Sequence, residues 1–358
     1  MRKTLLVVVL AVLCVGLLAQ ATPYGSARVG YWYAMYDKNH VLGERTMMDY
    51  NLQANSRFGV DWRSSNVTGK VEFGAGPSLR LLWGRRDFGN WSLTVGQDAV
   101  AFNRANQVFV FRNANGTFDP DFGLNGFGAI DGGRHPQIRA DFNMGGDRLY
   151  VALIRPNTVN APWGQEGIDA LIPTVQVGYD VNHIDFRLMP MVMYQRYEYN
   201  SDFRKDDDFD CRVTAYVIAL TAEATKNDFL FRFHMNYGQN LGNMGFAGPN
   251  NLSVANRTTG NVSQVKSLGG YVMVGYDVNP NLNINTGFGY TVSESCFCIS
   301  HLQHGDDRMG TYLQATFRLG SGFRITPEIG WLSEMRDMND VKQGSLVYFG
   351  TQLRFDFR

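Results

Sequence analysis

MDYNLQANSRFGVDWR, residues 48–63, sorts its side chains by parity. The even positions, Met48, Tyr50, Leu52, Ala54, Ser56, Phe58, Val60 and Trp62, are mostly apolar. The odd positions, Asp49, Asn51, Gln53, Asn55, Arg57, Gly59, Asp61 and Arg63, are polar or glycine. Successive strand residues point to opposite sides, so this period of two predicts one extended strand with an oily face and a wet face, and excludes a helix. Such a stretch would reach roughly 50 Å at about 3.3 Å per residue, far beyond the usual strand of about 5 to 6 residues. Two architectures accommodate it: a membrane barrel with lipid outside and water within, or a secreted sandwich with one wet surface.

The same alternation returns along the chain. A first segment lies around Arg28 to Tyr36. TGKVEFG places Val71 and Phe73 outward with Lys70 and Glu72 inward, SLRLLWG places Leu79, Leu81 and Trp83 outward with Arg80 inward, and WSLTVGQ places Trp91, Leu93 and Val95 outward. QIRADFN turns Ile138, Ala140 and Phe142 out and Arg139 and Asp141 in. IDFRLMPMVMYQRYEY puts Asp185 and Arg187 inward, RVTAYVIALTAEA is ambiguous, and FLFRFHMNYG turns Phe229, Phe231, Phe233 and Met235 out with Arg232, His234 and Asn236 in. The last segment, LVYFGTQLRFDF, has the outward row Val347, Phe349, Leu353, Phe355 and Phe357, with Arg354 inward. With RLYVALI, TVQVGYD, GGYVMVGYD, LNINTGFGY, MGTYLQATFRL and FRITPEIGW the count comes to about sixteen.

The links alternate as regularly as the segments. SSNV, DFGN, MGGD, DVNH, TKND, DVNPN and GSG are the Gly, Asn, Asp and Pro clusters of tight hairpins. The intervening links are long, at about 37–46, 99–135, 156–171, 200–211, 239–267, 293–307 and 333–344; only GAGPS is brief. A sandwich has no reason to keep short turns on one side and long loops on the other. The expected fold is therefore all-β: a transmembrane antiparallel up-and-down β-barrel of about 16 strands, with short periplasmic turns and long extracellular loops. Closure removes every sheet edge, which a bilayer demands because each unpaired backbone group there costs several kcal/mol.

The N-terminus carries Arg2 and Lys3, an uncharged run from Leu5 to Leu18, then Ala19-Gln20-Ala21. This predicts a secretory signal over residues 1–21 with cleavage after Ala21, leaving a barrel over 22–358. Leu13 is too bulky before Cys14 for lipoprotein processing. The remaining chain has no apolar run of the length of a membrane helix, and the mean hydropathy of −0.22 averages over alternating faces. Net charge is zero, so no global basic field argues for nucleic acid as a partner.

SRFGVDWRSSNVTGKVEF, followed by LRLLWG and GNWSLTVGQDAVAF, resembles the early strands of sixteen-stranded trimeric outer-membrane porins, in particular the DcaP-like group. The strand and loop plan covers nearly the whole mature chain, although it lacks the extra polar, helical N-terminal segment of DcaP-like members. Gly350, Leu353, Phe355 and Phe357 resemble the C-terminal insertion signal of outer-membrane proteins, here followed by Arg358. The resemblance implies a homotrimer in the bacterial outer membrane, surrounded by lipid and lipopolysaccharide. It also implies that the link at about 99–135 folds into the barrel as a constriction carrying Asp119, Asp121 and Asp131.

About sixteen strands leave an aqueous channel. The expected function is diffusion of small hydrophilic solutes and ions, with a gated, substrate-specific channel as the alternative. The expected lining is Arg57, Glu72, Arg80, Arg139, Asp141, Arg187, Arg232, Glu328 and Arg354. Its arginine excess predicts mild anion preference, unless neighbouring carboxylates neutralise every arginine.

Other signals rank lower. Cys296, Cys298, His301 and His304 have a spacing that could hold a soft metal, but in an oxidising compartment a disulfide from Cys211 to Cys296 or Cys298 is favoured. Asp206, Asp207, Asp208 and Asp210 lack calcium-loop spacing, and GFGAIDGG lacks the lysine of a phosphate loop. No metal, no cofactor and no enzymatic activity are expected.

Overall fold

In the computed structural model the described residues are 20–76, 78–100, 110–112, 118–120, 124–161, 167–199, 212–249, 251–255, 262–295, 305–337 and 339–358. The barrel strands follow chain order: β1 (Gln20–Tyr36), β2 (Arg45–Leu52 and Arg57–Ser64), β3 (Val67–Gly74), β4 (Leu79–Asp87), β5 (Trp91–Ala99), β6 (Arg134–Met144), β7 (Asp147–Ile154) and β8 (Thr174–Asn182). They continue as β9 (Phe186–Tyr199), β10 (Arg212–Lys226), β11 (Phe229–Gln239), β12 (Val265–Asn279), β13 (Leu282–Ser295), β14 (Asp306–Gly320), β15 (Phe323–Arg336) and β16 (Ser345–Phe357). Each pairs antiparallel with the next, and β16 returns to β1 with Phe357 opposite Gly25 and Leu346 opposite Tyr36. The sheet is a closed sixteen-stranded barrel.

Cross-strand pairing holds the two faces apart all the way round. Phe58, Ile138, Phe231 and Ile329 stand outward at 52%, 50%, 56% and 52% exposure. Glu72, Asp141, Thr221 and Gln352 face in and are buried. An apolar exterior on a closed barrel belongs in hydrocarbon. Stacked aromatics mark its margins: Phe88 on Trp91 (4.3 Å between centroids) and Phe323 on Phe355 (4.4 Å) beside the short turns, and Tyr33 on Phe349 (5.1 Å) toward the long links. No helix among the described residues is long and apolar enough to cross a membrane.

Residues 48–63 differ from the single extended strand expected. The stretch breaks at 53–56, and its two segments pair with different halves of β1, Leu52 with Val29 and Arg57 with Ser26. Four residues thus face two, and an excess of two leaves parity unchanged. The backbone at the break is held by Arg28, whose carbonyl oxygen accepts from Gln53 N–H (2.9 Å) and Ser56 Oγ (3.1 Å) and whose N–H donates to Ser56 Oγ (2.9 Å).

Strand β4 corrects a second expectation. Glu72 pairs with Leu81 but Phe73 with Leu79, so one extra residue is inserted at Arg80. An odd insertion flips the faces beyond it. Leu81 and Trp83, expected against lipid, pair with inward Glu72 and Lys70, and Leu82 stands outward at 52% exposure. Asp185 is likewise not in the wall; it lies in the exposed turn before β9.

Candidate functional site: the barrel interior

Two chain segments occupy the interior. The first belongs to the link between β5 and β6. Leu124, Phe127 and Ala129 are buried against Trp32, Tyr271, Tyr312, Leu332 and Tyr348 of the inner wall. This approach needs glycine on both sides: a Cβ on Gly289 would stand 2.0 Å from the Phe127 carbonyl oxygen, and one on Gly128, at φ +111, would stand 2.1 Å from the Gly270 oxygen. Asn236, inward on β11, donates to the Gly128 carbonyl oxygen (3.0 Å) and is itself set beside His234, whose Nδ1 meets Thr221 Oγ1 at 2.9 Å.

The second was not foreseen. In the link between β11 and β12, a turn of 3₁₀ helix, Leu241–Met244, is wholly buried. Leu241, Met244 and Phe246 pack with Val100 and Ile130 on inward Tyr150, Ala152, Met191, Met193, Ala215 and Val217. This covering explains why RVTAYVIALTAEA reads as ambiguous. Both faces of β10 are apolar, one toward lipid and one toward the infolded chain.

The inward charges separate into two walls. Along β5–β11 runs a ladder of alternating sign: Arg139 meets Asp98 (3.4 Å) and Asp141 (3.0 Å), Arg148 meets Asp141 (3.7 Å) and Asp180 (3.0 Å), and Arg187 Nε also donates to Asp180 (2.6 Å). Arg187 pairs across strands with Glu223, which Arg232 contacts at 2.6 Å. Four arginines answer four carboxylates there.

The opposite wall is unbalanced. Arg324, Arg354 and Arg28 lie directly across from one another on β15, β16 and β1, an arrangement that like charges disfavour. Arg57 and Arg80 follow around Glu72, at 3.7 Å and 2.8 Å, with Tyr24 OH donating to the same carboxylate (2.9 Å). Arg354 and Arg324 share Asp356, at 2.9 Å and 3.6 Å. With Arg134, six guanidiniums face Glu72, Asp131, Glu328 and Asp356. A recess of about 530 Å³ opens here, lined by Tyr24, Arg57, Glu72, Asp98, Arg134 and Asp356.

Thus Arg57, Glu72, Arg80 and Arg354 gather on the basic wall; Arg139, Asp141, Arg187 and Arg232 lie in the balanced ladder; and Glu328 accepts from Tyr348 OH (2.9 Å). Asp131 accepts from Gly133 N–H (2.9 Å) within the inward link. Asp119 lies on the short strand Phe118–Pro120; its side chain, Asp121, Cys211, Cys296, Cys298, His301, His304 and the aspartates at 206–210 lie outside the described residues. Among the described residues no group of His, Cys, Asp and Glu is arranged to hold a metal ion. Sequence reasoning missed Arg28, Arg324 and Asp180, which share the inward faces of strands already identified, and Arg134, which it left in the link at about 99–135.

At the rim, Asp37 clasps the β1–β2 link to the start of β16. It accepts from Ser345 N–H (2.8 Å), Ser345 Oγ (2.7 Å), Asn39 N–H (2.8 Å) and His40 N–H (3.1 Å). Burial pushes its carboxyl up, but these bonds outweigh it and hold the group below the usual carboxylate range. Burial beside Tyr36 lowers His40.

No family model and no curated protein matches the chain. Solved structures do. The outer membrane channel DcaP of Acinetobacter baumannii is 14% identical over 95% of this chain and 97% of that chain, with a TM-score of 0.71. OmpT of Vibrio cholerae is 15% identical over 95% and 98%, with a TM-score of 0.60. OmpF of Salmonella typhi, solved in complex with daunomycin, is 11% identical over 94% and 97%, with a TM-score of 0.55. These likenesses show the fold, and the chain has the sixteen-stranded porin barrel that the resemblance implied.

Proposed function

We propose that the protein is an outer-membrane porin, a channel rather than an enzyme, that passes small hydrophilic solutes and ions with a mild preference for anions. The observation that carries this reading is the basic wall. Six guanidiniums gathered with only four carboxylates on one wall set a local positive potential that favours anions, while the ladder on the other side is balanced. The short turns then face the periplasm and the long links the cell exterior. We place the chain among lipid and lipopolysaccharide as a homotrimer, on the strength of its resemblance to trimeric porins.

Reversal potentials in a salt gradient test the reading. The native channel should favour anions, and Arg57→Gln with Arg354→Gln should bring the preference close to unity. Clear cation selectivity of the native channel would contradict it. Silence until a ligand is added would favour the gated alternative.

A further inference from the structure

We infer that the segment 240–249, with 251–253, is a second inward partition that sets both the width and the charge preference of the pathway. This rests on the channel reading above. A wet barrel lumen is lined by polar side chains, yet the inner faces of β7, β9 and β10 present Ala152, Met191, Met193, Ala215 and Val217, all buried. Leu241, Met244 and Phe246 are what cover it.

The segment is clamped by amides. Asn160, on the β7–β8 link, donates to the Gly242 carbonyl oxygen (2.9 Å), and Asn243 donates back to the Asn160 carbonyl oxygen (2.9 Å). Asn243 Oδ1 accepts from Ser253 N–H (2.8 Å). Gln195, inward on β9, donates to the carbonyl oxygens of Asn157 (2.7 Å) and Asn243 (3.1 Å). At the base, Asn240 donates to the Thr214 oxygen (2.8 Å) and accepts from Val265 N–H (2.9 Å). The backbone turns inward through Asn240 at φ 54 and Gly245 at φ 88. A Cβ on Gly238 would stand 2.2 Å from the Tyr216 oxygen, so the departure from β11 depends on glycine.

The partition also meets the first infolded link, for a Cβ on Gly126 would stand 3.3 Å from that of Ala247. The second segment covers the inner faces of β7, β9 and β10, whereas the first packs on β1, β12 and β14–β16, so the partition is what stands on the balanced ladder's side of the passage. Width and charge preference are therefore coupled: removing the partition opens a route beside the balanced ladder and dilutes the influence of the basic wall.

Two variants test this in planar bilayers. Asn243→Ala breaks the clamp, and replacing residues 241–252 by a short Gly-Ser link removes the segment outright. Met244→Cys, in a background free of other cysteines, reports release through a water-soluble maleimide, and heat-modifiable gel migration reports an intact barrel. The inference expects no labelling with the clamp present and labelling with Asn243→Ala. It also expects conductance to rise by roughly twofold in the replacement variant, with anion preference falling toward unity. Unchanged conductance and reversal potential in the folded replacement variant would overturn the partition, and an unlabelled Cys in the Asn243→Ala protein would overturn the clamp. A silent native protein would instead count against the channel reading itself.

Discussion

Gly289 seats the first infolded link, because its bare backbone lies where any side chain would meet the Phe127 carbonyl oxygen. Gly289→Leu should unseat that link at a cost of about 1–3 kcal/mol, as overpacking does. Urea unfolding should show the loss, and conductance should rise with the barrel still closed; unchanged conductance would mean the link does not narrow the passage. The rim clasp makes a pH prediction with a definite sign. Asp37 and His40 both have lowered folded-state values, so both contribute stability at neutral pH that is lost on acidification: His40 from about pH 6.5 downward and Asp37 below the ordinary carboxylate range. Protection factors for hydrogen exchange at Asn39, His40 and Ser345, taken against the intrinsic rate at each pH, should fall between pH 7 and pH 5, and Asp37→Asn should be less protected than the parent at pH 7. At this scale the sequence was informative about direction and silent about partners. Parity placed Arg139 and Arg187 inward, but nothing local announces that Asp98 and Asp180 would meet them from other strands.

Strand β2 shows why element boundaries were less legible than element faces. A two-residue excess at 53–56 keeps the even residues outward, so alternation runs through a break in pairing without a mark. Strand β4 shows the opposite, since its one-residue bulge flips Leu81 and Trp83 inward although Leu79-Arg80-Leu81 reads as perfect alternation. The distinction can be tested by deletion. Removing Ala54 and Asn55 together preserves parity, and the protein should still assemble and migrate as a heat-modifiable barrel. Removing Ala54 alone turns one segment of β2 over and sends either Asp49 and Asn51 or Arg57, Asp61 and Arg63 toward lipid, where a basic side chain costs up to about 2–4 kcal/mol at the midplane and about 0–1 kcal/mol near the interface. Assembly should fail or fall sharply, and equal yields from the two deletions would contradict the account. The buried turn Leu241–Met244 was illegible for a different reason: it is a loop by every local signal, and only the doubly apolar face of β10 hints at a covering partner.

At the scale of the molecule, strand number, the order of short and long links and the two-faced wall were all readable, because each follows from a membrane having oil on one side of the sheet and water on the other. The asymmetry of charge was half readable. The excess of inward arginine was visible, but its gathering on β15–β4 and the start of β6, opposite a balanced ladder, depends on closure bringing β16 beside β1. A homotrimer should survive detergent extraction and show as a slow band on an unboiled gel that collapses on heating. The central claim, that alternate residues of one strand meet electrolyte and hydrocarbon, has a direct test in the stretch that first suggested it. Single cysteines at 57 through 62, in a cysteine-free background reconstituted into liposomes, can be probed with a water-soluble maleimide. Labelling at 57, 59 and 61 with silence at 58, 60 and 62 is the predicted result; labelling of both parities alike would contradict it.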